Sequence, residues 1–395
     1  MNIGIYNEPS GAAIGGTESC VALLAETLSR QHRVEIVHHR PSLTTSLLGE
    51  TFGVNLEGVR MRYAHYDEPG NFSRMEPWSR YPRLKEWHAE LSKPYDVFIN
   101  FTHGMPPFCH AKFGVLVVLF PMFEPFNAWP WIDGSAQSSS TLRKYLRKAY
   151  YEWEWKRRFY NYNVRLAISQ FTRRWTKDRW GVDCQVLYPP VDTDFVMAEK
   201  ANVILSVGRF AGAGVKKNQL EMATVFRRMV EDGLCGWRFV CAGPLSDSVS
   251  DKAYCEEVRR VAPPERSQLL VNVERAKLRK LYEKAKIFWH ATGYGNDEKL
   301  APELMEHFGI VTVEAMAAGC VPVVLNRGGQ AEIVEHGVSG FLWNTLDELA
   351  GYTARLIEDD GLRARMSTAA RVRSRSFDRN NFVDRSRDLL RPFLN

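Results

Sequence analysis

The chain has 395 residues, 45% of them hydrophobic and 25% charged, which is enough to bury a large core over two or three domains. Its seven cysteines, at 20, 109, 184, 235, 241, 255 and 320, include no C-x-x-C pair, which speaks against a disulfide framework or a zinc site and fits a reducing compartment. The net charge of +6, from 52 basic and 46 acidic residues, comes with no zinc-finger, RNP or basic-zipper pattern, so nucleic acid is not an expected partner.

From the N-terminus, MNIGIYNEPSG has no basic region ahead of an apolar run, and the longest apolar run, FGVLVVLF at 113–120, falls well short of the roughly 20 residues that span a bilayer. Neither a signal peptide nor a transmembrane helix is expected, and the expected location is the cytoplasm. Short apolar runs alternate with helical patterns, the sequence form of βαβ units around parallel sheets. Strands are predicted at 2–6, 33–39, 95–101, 115–120 and 165–169. Between the last two, PMFEPFNAWPW at 121–131 sets Glu124 among aromatic residues and prolines, which suits either a platform that stacks a sugar ring and takes its hydroxyls or a packed surface loop.

The stretch 138–163 then carries seven Lys and Arg against Glu152 and Glu154, giving 7 − 2 = +5, with Leu142, Leu146, Ala149, Tyr150 and Trp153 at helical spacing. A basic helix of this kind, over 142–160, can lie peripherally on an anionic membrane, the rings at headgroup depth and the cations on anionic lipid. Alternatively it is a connecting helix that packs its stripe on its own domain and solvates the rest. Both readings stay open.

Pro189 and Pro190 in LYPPVDTDF stiffen an extended link, and a second series of strands follows at 202–210, 237–244, 268–273, 286–291 and 321–326. The expected division is a first domain over 1–190, a second over 191–376 and a terminal helix over 377–395. That helix has Phe382, Leu389, Leu390 and Phe393 available for packing.

Two clusters in the second half look like parts of a site. SVGRFAGAGVKKNQL at 206–220 follows the first strand of the second series with glycines, Arg209, Lys216 and Lys217, a set suited to phosphate because glycine lets the backbone approach while cations neutralise it. It is neither a Walker A loop nor a G-x-G-x-x-G fingerprint. ELMEHFGIVTVEAMAAGCVPVVL at 303–325 sets Glu306 and Glu314 eight positions apart around Phe308 and Gly309. A helix is expected to begin near Phe308 or Gly309 and to end at Gly319, leaving Glu306 in the loop ahead and Glu314 in mid-helix. A glycine-opened helix N-terminus is an anion site, and carboxylates on either side of it could take hydroxyls on the two arms of a diphosphate ligand such as a nucleotide-sugar. Spacing alone equally allows Glu306 as a helix cap and Glu314 as a solvated residue on the helix's outer face.

Gly208-Arg209, Lys217, Glu306, Phe308-Gly309, Glu314, the run AMAAG at 315–319, Pro322-Val323-Val324 and Gly328-Gly329 together resemble the retaining glycosyltransferases of glycosyltransferase family 4. The likeness extends from IGGTE at 14–18 through ISQFT at 168–172 and YPPVD at 188–192 to the C-terminal helix. It implies the GT-B fold, an α/β architecture of two Rossmann-like parallel-sheet domains facing an interdomain cleft, with the last helix crossing back to the first domain.

The resemblance also implies roles. Arg209 and Lys217, beside Gly208, would hold the donor diphosphate and stabilise it as a leaving group. Glu306 would bind donor-sugar hydroxyls with the backbone amides of Phe308, Gly309 and Ile310, and Glu314 the ribose hydroxyls. Gly15 and Gly16 would form a loop closing on the phosphates, and His103 would touch the donor sugar. Val273 and Glu274 fall where the family meets the base, and His290 and Thr292 near the sugar. The reaction implied is sugar transfer with retention by front-side attack, in which both glutamates bind and neither acts as nucleophile.

No cofactor is implied. Asp192-Thr193-Asp194 mimics a D-x-D metal motif but follows the Pro-Pro link, so no metal is expected. The implied partners are a nucleotide-sugar, either GDP-mannose or a UDP-sugar, and a sugar, oligosaccharide or lipid-linked acceptor. MEHFGI at 305–310 is similar to mannosyltransferases that extend lipid-linked oligosaccharides on the cytoplasmic face of a membrane. A nucleotide-sugar epimerase of the same fold and a non-catalytic sugar-nucleotide-binding protein are the competing readings.

Overall fold

Both series of apolar runs become parallel strands, most of them buried on both faces, which is why they read as nearly continuous Val, Ile, Leu and Phe, while Ser267–Val271 stays partly exposed. The computed structural model describes residues 1–7, 14–64, 77–122 and 141–394, excluding the side chains of 77–84, 141–148, 150 and 151. The described chain forms two compact units. One is Met1–Pro190 with the tail from Phe382, and the other is Val191–Asn381.

The first unit holds a seven-stranded sheet of β1 (Asn2–Asn7), β2 (Arg33–His38), β3 (Arg60–Tyr63), β4 (Val97–Thr102), β5 (Phe113–Val118), β6 (Val164–Ala167) and β7 (Gln185–Val186). Its order is β3-β2-β1-β4-β5-β6-β7, and its pairs are parallel. The second unit holds β8 (Ala201–Val207), β9 (Arg238–Gly243), β10 (Ser267–Val271), β11 (Ala285–His290), β12 (Val321–Leu325) and β13 (Phe341–Trp343), in the order β10-β9-β8-β11-β12-β13, again parallel.

In each sheet the winding reverses once, between β1 and β4 and between β8 and β11. The connections leave a reversal point in opposite directions, so a crevice opens there at the carboxyl ends of the strands, where open α/β sheets take their ligands.

β3, β7 and β13 are absent from the expected strands. β3 reads RMRY, too polar to stand out, and β7 and β13 have only two and three residues. β8 stops at Val207 rather than running to 210, because the chain turns away at Gly208.

Ile3, Ile5, Val97 and Ile99 lie in the first unit's main core with Val21 and Leu24 of helix Gly16–Ser29. The last helix, Arg379–Leu394, adds Phe382, Leu389 and Leu390 to that core, and the Phe393 ring lies 5.3 Å from that of Phe113.

Helix Thr141–Tyr160 departs from the expected stripe. Ala149 is exposed and Trp153 is 52% exposed, while Trp155, Phe159 and the ion pair Glu154–Arg158 (2.9 Å) are buried. Aromatic residues sit on more than one side of this helix, so spacing placed Ala149 and Trp153 on the wrong face, while the side chains of Leu142, Leu146 and Tyr150 lie outside the described residues. Among the described residues no helix is long and apolar enough to cross a membrane.

Candidate functional site

The second unit gathers most of its site candidates at the carboxyl ends of β8 and β11. Beyond Val207 the loop is tied to the end of β9, with Gly208 N donating to the Ala242 carbonyl (2.9 Å) and Phe210 N to that of Pro244 (2.9 Å). A Cβ on Gly208 would lie 2.7 Å from Lys217 Cγ, so glycine is what lets the lysine side chain run over this backbone. Gln219 Nε2 donates to the carbonyls of Gly208 (3.1 Å) and Arg209 (3.0 Å), fixing the loop from below, while the Arg209 side chain is exposed. Asn218, in a left-handed conformation (φ 53°) ahead of helix Gln219–Glu231, donates to the carbonyls of Ala291 (2.8 Å) and Tyr294 (3.2 Å). The start of that helix is thereby pinned to the end of β11.

Lys217 and His290 converge on Glu306. Lys217 Nζ lies 2.7 Å and His290 Nε2 3.0 Å from the same oxygen, Oε2, and Thr292 Oγ1 stands 3.1 Å from that ring nitrogen. Burial alone would raise the Glu306 carboxyl. The Lys217 ammonium and the His290 hydrogen bond outweigh it and hold the group well below its ordinary 4.5. Burial pushes the His290 imidazole below 6.5 against the pull of Glu306, which makes it a neutral donor through Nε2. Its Nδ1 is buried without a partner among the described residues. His290 is 2% exposed, with its Nε2 turned to Glu306, and Thr292 lies equally deep.

Gly309 caps helix Ile310–Ala317 with φ 123°, and a Cβ there would sit 2.5 Å from Gln330 Nε2. Side-chain-bearing residues rarely adopt that conformation, so both strain and space demand glycine. Gly328 and Gly329 clasp the loop before it. Gly329 N donates to the Glu306 carbonyl (2.7 Å), and a Cβ on Gly328 would lie 2.3 Å from that same oxygen. Gly328 N is in turn held by Glu298 Oε2 (2.9 Å). Phe308 is buried edge-on to Phe377 at 5.5 Å between ring centroids, and Ile310 is the half-buried first residue of the helix. The arrangement aims a first helical turn, with its orphan amides, out of a rigid backbone loop that also presents Glu306.

Glu314 is not solvated on an outer face as one expectation allowed, being 8% exposed, and burial raises its carboxyl above 4.5 against the opposing pull of Arg275 and the Tyr282 hydroxyl. Arg275 Nη2 stands 3.6 Å from Glu314 Oε1 and 3.5 Å from Asp192 Oδ2, and Arg279 Nη1 donates to that Asp192 oxygen at 2.6 Å. Arg279 also donates to the Asp194 carbonyl. The Asp192 side chain is thus engaged by two guanidiniums. Glu274 is the exposed N-cap of helix Arg275–Lys284, and Val273 just before it is half-buried.

The remaining candidates belong to the first unit. Gly15 precedes helix Gly16–Ser29, and its amide donates to Glu18 Oε2 (2.8 Å), whose other oxygen takes Asn7 Nδ2 (3.3 Å). His103 follows the end of β4, and burial pushes its imidazole down to about 4. β1 and β4 are neighbours, with Asn7 opposite Phe101, so Asn7 and His103 both lie at that sheet's reversal point. Glu124 lies outside the described residues.

Sequence reasoning missed Gln219, Gln330 and the charges around Glu314. Gln330 is fully buried against Gly309 with both amide atoms unpartnered among the described residues, and its one signal is its place after Gly328-Gly329. Arg275 carries no local signal at all, since Asp192, Arg275 and Glu314 meet only in the folded chain.

Comparison with known proteins gives two family matches, "Glycosyl transferases group 1" over residues 193–373 and "Glycosyltransferase Family 4" over 14–195. The chain is 27% identical over 237 residues to the GDP-Man:Man(3)GlcNAc(2)-PP-Dol alpha-1,2-mannosyltransferase of Dictyostelium discoideum, covering 55% of this chain and 44% of that protein. It is 38% identical over 69 residues to a human alpha-1,3/1,6-mannosyltransferase, covering 17% of each. The chain therefore matches less than half the length of these curated relatives. Among solved structures, Anabaena HepE in complex with UDP and glucose superposes with a TM-score of 0.66 at 18% identity, covering 99% of this chain and all of that one, a likeness of fold.

Proposed function

This chain belongs to glycosyltransferase family 4, the group 1 glycosyl transferases, and from that premise we propose that it is a retaining hexosyltransferase using GDP-mannose or a UDP-sugar as donor. The observation that carries the reading is the meeting of Lys217, Glu306 and His290 at the carboxyl ends of β8 and β11, beside the Gly208-Arg209 loop and the Gly309-capped helix. Cations, orphan helix amides and an ionised carboxylate on one rigid floor match a diphosphate with a sugar attached.

In this reading Arg209 and Lys217 take the diphosphate. Glu306 and the amides of Phe308, Gly309 and Ile310 take the sugar, with Thr292 and His290 acting through Glu306. Glu314 takes the ribose, and Val273 and Glu274 border the base. The first unit supplies Gly15 and Gly16 toward the phosphates, His103 toward the sugar, and the acceptor platform.

The acceptor oxygen bonds to the anomeric carbon as the bond from that carbon to the phosphate oxygen breaks. The departing phosphate oxygen takes the acceptor's proton, and prepositioned cations stabilise the charge it leaves with. GDP-mannose stands in the Dictyostelium relative's name and UDP is bound in the Anabaena structure, which supports both nucleotides as donors to test.

The test incubates the protein with GDP-mannose, UDP-glucose or UDP-galactose and a panel of sugar and lipid-linked acceptors, with NMR of the product's anomeric proton. A product of retained configuration supports the reading. An inverted product overturns retention, and isomerised donor without transfer points to an epimerase.

We place the reaction in the cytoplasm, at a membrane's inner face. Trp153 and Tyr160 (62% exposed) stand out from the basic helix with Arg157 stacked 4.5 Å over the Trp153 ring, a surface suited to anionic headgroups. Co-sedimentation with phosphatidylglycerol vesicles but not phosphatidylcholine vesicles, weakened by Trp153→Ala with Arg157→Ala, is the expected result. Equal recovery with both lipids would refute it.

A further inference from the structure

We propose that Arg275 is the positioning residue of the ribose subsite: anchored by Asp192, it fixes the Glu314 carboxylate as an acceptor for the two ribose hydroxyls. The inference rests on reading Glu314 as the ribose binder and assigns that subsite a support from outside the two-glutamate motif.

The geometry is a chain of alternating charge. Arg279 Nη1 holds Asp192 Oδ2 at 2.6 Å, Arg275 Nη2 lies 3.5 Å from that same oxygen, and the same Nη2 lies 3.6 Å from Glu314 Oε1. The two arginines are four positions apart, so they share one face of helix Arg275–Lys284 and reach the linker carboxylate together. Arg275 engages one oxygen of Glu314. A carboxylate offers about four lone-pair directions, so acceptor capacity is left for a vicinal diol.

Without the guanidinium, Glu314 would face the Asp192 carboxylate with only Arg279 between their charges and solvent. The groups acting on Glu314 are Arg275, Arg279 and Tyr282 from that helix and Asp192 from the linker. On the other side of its own helix, Lys200 donates to the Ala318 carbonyl at 2.6 Å, with Arg371 of helix Asp360–Ser374 acting on Lys200. Cys320 acts on Tyr282. Burial and Asp192 favour the protonated acid, while Arg275 opposes them. A protonated Glu314 presents one acceptor oxygen and one donor, which suits a diol less well than two acceptors.

Affinity for nucleotides bearing the diol should therefore fall as pH drops through the Glu314 titration, and Arg275 sets where that fall begins.

The experiment is calorimetry of UDP and GDP, and of their 2′,3′-dideoxy counterparts, from pH 5 to 8. It uses the full chain and the variants Arg275→Gln, Arg275→Lys and Glu314→Ala, each checked for folding by circular dichroism. The expected result is that Arg275→Gln moves the acid limb for the ribonucleotide upward by about one pH unit, about tenfold weaker binding on that limb. Arg275→Lys keeps the limb near its original place, and the dideoxynucleotides show only the fall that protonation of the terminal phosphate at about pH 6 gives both series, unmoved by Arg275→Gln.

An unmoved limb in Arg275→Gln overturns the inference. So does an equal loss for ribo- and dideoxynucleotides, which would mean that Arg275 touches the nucleotide directly. Failure of the underlying reading shows separately, as a Glu314→Ala protein that still prefers the ribonucleotide, or as binding of neither nucleotide.

Discussion

Lys217 and Glu306 are each about one-fifth exposed, with Nζ 2.7 Å from Oε2, so water screens the pair only weakly. Removing the lysine leaves a carboxylate supported mainly by a neutral histidine, and breaking such a pair costs about 3 kcal/mol. Lys217→Ala should therefore destabilise the second unit in a denaturant titration. If the side chain also faces the leaving group, kcat/KM should fall by about 10²–10³ once transfer is assayed. Glu306 adds a dependence on pH. Its native carboxyl lies well below 4.5, so its contribution to stability is complete above the unfolded value and is lost as pH falls through the native one. The wild type should lose more stability than Glu306→Gln below about pH 4.5, and identical pH profiles would show that the carboxylate is not held this way.

At the scale of the element, the last helix gives the clearest case. Phe382, Leu389 and Leu390 are buried in the first unit's core, and Phe377 just ahead of the helix packs on Phe308 in the second unit. Burying three such side chains is worth about 5 kcal/mol or more, a large share of a domain's net stability. Deleting residues 377–395 should lower the melting temperature and abolish transfer, and full activity in the truncated protein would refute the assignment. This helix was legible in sequence because Phe382, Leu389, Leu390 and Phe393 recur at helical spacing with charges between them. Ten of the strands were legible because they carry apolar runs, which doubly covered strands leave unbroken. The basic helix was legible as a helix but not in its orientation, since Trp153 and Trp155 lie on different sides of it and only packing selects Trp155 for the core.

Over the whole molecule, legibility follows separation along the chain. The loop at Gly208, the glycine cap at Gly309 and the pair Glu306 and Glu314 lie in short stretches whose backbone demands show in residue type. The contacts that finish the site join distant positions, such as Lys217 to Glu306 and Asp192 to Arg275 to Glu314, and no local pattern announces them. The sheets' reversal points link the two levels, since they bring the loops after β8 and β11 to one edge. The central claim is that this edge holds a nucleotide-sugar. Its most direct test is thermal stabilisation of the purified chain by UDP, GDP, ADP and their common sugars, repeated with Glu314→Ala. A ligand that binds only the native state raises the melting temperature by mass action. The account predicts a rise with the uridine or the guanosine series, lost in Glu314→Ala. A folded wild type that none of these ligands stabilises would contradict it.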